Sequence, residues 1–143
     1  MEIIRRNSDY ALRSLAHMAK FPKGEKIFIK AMADKEDVPI FFLRKIFQNL
    51  SKAKIVDSKR GPRGGFYLVK AAEDISLKDI LEAAQGRIAL SDCLFEVDSC
   101  SRYKNCALKG RLSRIQKKLI RIFEGYTLSD LCADTRRRKR HLK

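Results

Sequence analysis

The residues with the strongest chemistry in this chain are Cys93, Cys100 and Cys106, separated by six and five residues, with Cys132 further on. Cysteine thiolates ligate soft metals and react with oxidants, so four of them call for a use. Structural zinc sites close chelate loops of about two to four intervening residues, and no such pair occurs here, which argues against an ordinary zinc site. An iron–sulfur cluster is larger and takes ligands from a wider loop. The segment around these cysteines is polar, with Asp92, Asp98, Ser99, Ser101 and Asn105, and suits such wrapping. Redox-active thiols and small buried hydrophobes are the other readings.

The second chemical feature is charge. The chain has 143 residues and 32 Lys and Arg against 17 Asp and Glu, a net of +15. The excess is segregated: residues 1–70 carry +9, residues 71–135 are neutral, and residues 136–143 carry +6. Clustered cations are what a polyanion-binding surface needs, because each neutralised phosphate releases counterions. Nucleic acid is the expected partner. No apolar run approaches a membrane span or a signal peptide, so a cytoplasmic protein without a membrane partner is expected, and disulfides are not.

The elements that must position these groups can be read from periodicity. Leu12, Leu15, Ala16 and Ala19 predict a first helix over Asn7–Lys20, with Asn7 or Ser8 as its cap. Ile29–Lys35 predicts a short second helix. Pro39 suits the first position of a third helix, in which Leu43, Ile46, Phe47 and Leu50 share one face to about Ala53. Only Glu36, Asp37 and Val38 separate those two, which makes a helix-turn-helix corner. Ile55–Lys59 and Phe66–Val69 then read as strands joined by the turn-forming run Arg60-Gly61-Pro62-Arg63-Gly64-Gly65. Helix, short helix, turn, helix and basic hairpin is the order of a winged helix.

If Leu43, Ile46, Phe47 and Leu50 are buried, the opposite face of the third helix presents Ile40, Phe41, Arg44, Lys45, Gln48 and Lys52, beginning at Pro39. Arg and Gln suit base edges there and Lys suits phosphates. At the wing Lys59, Arg60, Gly61 and Arg63 would meet the backbone or the adjacent minor groove. The fold class expected is mainly α with a small β-hairpin, a winged helix-turn-helix plus a long dimerisation helix.

That long helix follows a fourth one, in which Ser76 and Asp79 form a capping pair, Leu77, Ile80, Leu81 and Ala84 share a face, and Gly86 ends the run. Residues 87–107 read as irregular. Leu108, Leu112, Ile115, Leu119 and Ile122 then recur at spacings of 4, 3, 4 and 3, a heptad seam whose simplest partner is a second copy across a two-fold axis. Thr127–Leu131 reads as a last short turn, and the basic run 136–143 as a disordered tail that tethers to phosphates.

Together SDYALRSLAHMAK, VPIFFLRKIFQNLSKAKIV, SKRGPRGGFYLVK, SLKDILEAAQG and the spaced cysteines before a long helix resemble the bacterial winged-helix iron–sulfur and redox-sensing regulators that include IscR and NsrR, from Ile3 to about Leu131. The resemblance implies a homodimeric transcription regulator and not an enzyme. Arg44 takes the base-reading place and Arg60 the minor-groove place on a palindromic double-stranded operator. It further implies that Cys93, Cys100 and Cys106 hold an iron–sulfur cluster, either [4Fe-4S] or [2Fe-2S], since the first gap between cysteines is one residue longer than the commonest family spacing. Where the IscR branch supplies a histidine as fourth ligand this chain has Lys109, which has no lone pair to give at neutral pH. The match is nearer to the NsrR branch, whose fourth ligand corresponds to Asp9 of the opposite subunit, with His17 a weaker candidate.

The implied function is repression controlled by a cluster that senses nitric oxide, redox state or iron–sulfur status. The implied organisation is a DNA-binding region at 1–70, a linking helix and cysteine loop at 71–107, a dimerisation region at 108–131 and a basic tail at 132–143. The rivals are a cluster-free thiol-based redox regulator of the same fold, a small iron–sulfur redox protein and a basic RNA-binding protein.

Overall fold

The computed structural model describes residues 3–94 and 100–141, with side chains to Asp134. Three helices come first, α1 (Arg6–Met18), α2 (Ile29–Glu36) and α3 (Ile40–Lys52), then strands β1 (Val56–Lys59) and β2 (Gly65–Leu68). Helices α4 (Leu77–Gln85), α5 (Ala107–Gly125) and α6 (Leu128–His141) complete the chain, with short 3-10 turns at Ala72–Asp74, Asp92–Leu94 and Tyr103–Asn105. This is the mainly α architecture with one β-hairpin that the sequence pattern predicts.

The core follows from the 3.6-residue period. Leu15 of α1, Met32 of α2, Leu43, Ile46, Phe47 and Leu50 of α3, and Ile80 of α4 are all buried in one cluster. The corner between α2 and α3 is Asp37-Val38-Pro39, with Asp37 in the left-handed region at φ 53°. Asp tolerates that conformation better than branched residues do. Pro39 therefore stands just before α3 as its N-cap rather than as its first residue.

Strands β1 and β2 pair antiparallel from Val56 opposite Leu68 to Lys59 opposite Gly65. Ile27 adds a bridge to Phe66, a third edge that periodicity did not predict. Gly65 makes the bridge possible: its φ is +138°, and a Cβ there would lie 2.8 Å from the Ile27 carbonyl oxygen. The Phe66 ring meets Phe47 edge-on at 4.9 Å, which fixes the wing to α3.

Two expectations about helix ends are corrected. Neither Asn7 nor Ser8 caps α1, whose N-cap is Arg5 without a side-chain bond. Ser8 is instead buried, and its hydroxyl donates to Gln85 Oε1 at 2.6 Å. Thr127 and Leu128 begin not a last turn but the fourteen-residue α6, which runs through the basic segment to His141. The Thr127 amide and hydroxyl both donate to Asp130 Oδ2, at 2.8 and 3.0 Å, and the Asp130 amide returns a bond at 3.4 Å. That is a capping box. The Ser76 cap of α4, bonded by the Asp79 amide at 3.1 Å, and the terminating Gly86 stand where the sequence puts them.

Helix α5 returns the chain to its own core. The Leu77 amide bonds the Tyr126 carbonyl at 2.8 Å, and the Leu128 amide bonds the Ile75 carbonyl at 2.9 Å. Leu128 is fully buried. Nineteen residues of helix span about 28 Å against about 14 Å for the nine of α4, so the N-terminal half of α5 projects past α4.

Candidate functional site

The docking face is set by α3. With Leu43, Ile46, Phe47 and Leu50 buried, Phe41, Arg44, Lys45 and Gln48 are exposed together, and Ile40 is half-buried at the start of the helix. The wing carries Lys59, Arg60, Gly61 and Arg63, all exposed. Gly64 holds the wing tight: a Cβ there would collide with the Lys59 carbonyl oxygen. Lys26 reinforces the turn by donating to the Arg63 carbonyl at 3.4 Å. The fold thus presents a recognition-type helix and a basic hairpin held together through Phe47 and Phe66, a surface chemically suited to a nucleic-acid groove and its phosphates. Beside it a groove of about 650 Å³ runs between the start of α1, α3 and the end of α4, lined by Arg5, Asn7, Lys45, Asn49 and Lys52 among others. Arg5 was not singled out in the sequence, because only packing brings it beside α3, and Asn49 sits within α3 between its buried and exposed faces.

The three cysteines lie on the segment that joins α4 to α5. Cys93 is half-buried within the 3-10 turn, its Sγ 3.2 Å from Ser91 Oγ. Cys100 is exposed, and Cys106 is the half-buried N-cap residue of α5. Asp98 and Ser99 fall outside the described residues. The segment is pinned near its start by the Leu90 amide, which donates at 3.0 Å to Gln116 Oε1 of α5. Three thiols on one connecting segment form a donor set suited in chemistry to an iron–sulfur cluster. Among the described residues, however, no three His, Cys, Asp or Glu side chains of one chain are placed to hold a metal ion together. Lys109 is turned to Tyr103, its Nζ 3.1 Å from the ring centroid. The Cys132 thiol faces the Ala16 carbonyl at 3.7 Å, which places it against α1 and not with the other three.

Asp9 stands on the first turn of α1, exposed, with Arg13 Nη1 3.7 Å from its Oδ2. Arg13 also reaches the far end of α2, with Nε 3.4 Å from Glu36 Oε2 and Nη2 donating to the Glu36 carbonyl. His17 lies one turn on, its Nδ1 3.8 Å from Glu36 Oε1. Burial, and then the Lys20 ammonium, hold its pKa below the ordinary 6.5. Within one chain Asp9, Arg13, His17 and Glu36 come together, and among the described residues Asp9 belongs to no group of three side chains placed to hold a metal.

The apolar seam of α5 is split. Leu108, Ile115 and Ile122 are 59%, 54% and 55% exposed, a stripe at seven-residue spacing, whereas Leu112 and Leu119 are half-buried. Gln85 went unnoticed in the sequence. Its Oε1 accepts from the Arg5 amide at 3.0 Å as well as from Ser8, and its Nε2 donates to the Ile3 carbonyl at 2.8 Å. It therefore clamps the start of α1 to the end of α4.

A family model described as Rrf2, iron-dependent transcriptional regulator, matches residues 4–134. The chain is 30% identical over 125 residues to the HTH-type transcriptional regulator NsrR of Halalkalibacterium halodurans, covering 87% of this chain and 86% of that protein. Among solved structures, CymR, the global cysteine regulator of B. subtilis, matches with a TM-score of 0.70 at 24% identity over 93% of this chain and 98% of that one. The IscR of T. potens matches with a TM-score of 0.70 at 21% identity over 92% and 87%. At such identities the two structures establish the fold. Among the described residues no helix is long and apolar enough to cross a membrane.

Proposed function

The chain belongs to the Rrf2 family, and on that premise we propose that it is a homodimeric repressor whose hold on a palindromic operator is set by an iron–sulfur cluster. Its membership and its NsrR relatives make it a DNA-binding transcriptional regulator, not an enzyme. The observation that carries the finer reading is the set of three thiols, Cys93, Cys100 and Cys106, on the one connection that leads from α4 into α5. Cys93, Cys100 and Cys106 would hold the cluster, and Asp9 of the second copy would supply the fourth ligand. When bound, the cluster supplies a carboxylate-ligated iron corner open to nitric oxide, oxygen or loss of the metal.

The protein's own part is to convert the state of Asp9 into the placement of α3. Arg13 touches both Asp9 and Glu36, and Glu36 is the last residue of α2 before the corner into α3. An Asp9 engaged across the dimer leaves Arg13 to Glu36 alone. A released Asp9 shares Arg13 and loosens its grip on the corner. The bistable element is thus the α2–α3 corner, biased by a chemical event at a carboxylate. Arg44 and Gln48 then read base edges, Lys45 and Lys59 hold phosphates, and Arg60 and Arg63 enter the neighbouring groove.

Anaerobic purification followed by absorbance, iron and sulfide analysis, and gel shifts with and without nitric oxide tests this reading. Coloured protein whose retardation of operator DNA changes on exposure to nitric oxide is the expected result. Cys100→Ser, at an exposed position, removes the iron without lowering the stability of the metal-free protein. Colourless, iron-free protein that binds equally in all states overturns the proposal.

A cluster-free thiol-based regulator is the second reading. It is favoured by the absence, among the described residues of one chain, of any three donors placed to hold a metal together. In that case oxidation of Cys100 or Cys93 changes DNA binding in iron-free protein.

A further inference from the structure

Helix α3 carries an aromatic pair that its packing does not use. Phe41 is 72% and Phe42 50% exposed, whereas Leu43, Phe47 and Leu50 of the same helix are fully buried. Phe41 precedes Leu43 by two residues and so stands about 160° round the helix from it, on the side facing away from the core. Its neighbours on that side, three and four residues on, are Arg44 and Lys45. The two rings meet edge-on, with centroids 5.9 Å apart and planes at 73°, so Phe42 restricts the positions Phe41 can take. An exposed ring held in this way costs solvation without returning core packing.

We infer that Phe41 is a specificity-determining residue that reads the 5-methyl groups of thymine in the major groove. The inference rests on the operator-binding reading and deepens it. The occupant is fixed by charge: an apolar ring flanked by Arg44 and Lys45 fits a surface that is apolar locally and anionic at its borders. Thymine is the base that offers a methyl group on the major-groove edge, between two lines of phosphate. A second copy of this face would bring like charges together, which argues against self-association here. Arg44 then serves guanine, Gln48 adenine and Phe41 thymine, so that one helix face discriminates three bases.

The test begins by selecting preferred duplexes from a random library with the full chain. Each thymine of the selected site is then replaced singly by uracil, which removes only the methyl group. For the unaltered protein, at least one uracil per half-site weakens binding about fourfold, the contribution expected of one buried methyl. Phe41→Ala is indifferent to that same replacement, and Phe41→Leu retains part of the response. Equal uracil penalties in parent and Phe41→Ala overturn the assignment, as does a selected site without a sensitive thymine. A Phe41→Ala protein with altered oligomeric state and unaltered discrimination also overturns it, by pointing to a protein contact. If the parent selects no sequence at all, operator reading itself has failed, which is a different result from selection without methyl dependence.

Discussion

The winged-helix half and the cysteine half of this chain are held together differently. In the first, α1, α3 and α4 each turn a run of fully buried side chains inward, and the wing is locked to α3 through Phe47 and Phe66. In the second, the nineteen-residue α5 buries one side chain, Gln116, and that one is polar. Its three most exposed large apolar residues lie at seven-residue spacing on one face. One half completes its own core within a single chain, whereas the other has the shape of a part. A helix so poor in buried apolar surface is sustained by tertiary partners rather than by propensity, and the unpartnered stripe says where a second copy would supply them.

The harshest way to sharpen this contrast is to cut each half at its best-defined contact. Phe47→Ala removes a fully buried ring and the anchor of Phe66, and about 3–5 kcal/mol of folding stability should go with it, read by chemical denaturation. A loss below about 1 kcal/mol would mean the winged half is not the self-sufficient one. Ile115→Glu should leave the folded monomer intact while each copy forfeits about 1.5–3 kcal/mol of interface burial, so sedimentation should show dimers dissociating at least a hundredfold more readily. A dimer that survives this change would place the interface elsewhere.

The same contrast explains what could be read beforehand. The buried set of α3 and the glycine-rich wing were legible because local period and turn chemistry decide them. The Ser76 cap of α4 was legible because both partners lie within four residues. What was missed depends on long-range pairing. Ser8 looks like a cap but serves Gln85, 77 residues away, and nothing local announces that bond. Gln116 reads as one more polar residue on a polar helix until the Leu90 amide is found on it. The length of α6 is a different lapse, since Thr127-x-x-Asp130 is a local start signal that the run of cations after it obscured. Of the candidate site, the exposed cations of α3 and the wing could be read from helical phase, whereas the proposed meeting of the thiols with Asp9 would belong to two chains, and no intrachain period encodes such a contact.

Gln85 clamps the end of α4 to the start of α1 inside the winged-helix half and supplies an intermediate test. Gln85→Ala withdraws its bonds to the Arg5 amide, the Ser8 hydroxyl and the Ile3 carbonyl. It leaves the buried Ser8 hydroxyl without that partner, at about 1–3 kcal/mol. Hydrogen exchange should accelerate in the first turn of α1 before it does in α3. Uniform acceleration across the chain would mean the clamp is part of the common core and not a separate joint between α1 and α4.

The smallest effect should come at the last link between the two halves, where α6 begins. The amide and then the hydroxyl of Thr127 hold the Asp130 carboxyl below its ordinary value of 3.8. A carboxyl so depressed contributes stability that is fully present above the ordinary value and lost as the pH falls through the lower folded-state value. Acidification through the bottom of the carboxylate range should therefore fray the start of α6 and free Leu128 from the core before α1 or α3 opens, visible as exchange of the Leu128 amide that bonds Ile75. Asp130→Asn keeps a capping oxygen but does not titrate, so its helix start should be slightly weaker at neutral pH and insensitive to acid. If the parent and Asp130→Asn fray alike on acidification, the acid-sensitive contact lies elsewhere. The return of α5 to the winged half would then rest on Leu128 burial and the backbone bonds of Leu77 and Leu128, with the Lys78–Glu124 pair as its electrostatic contact.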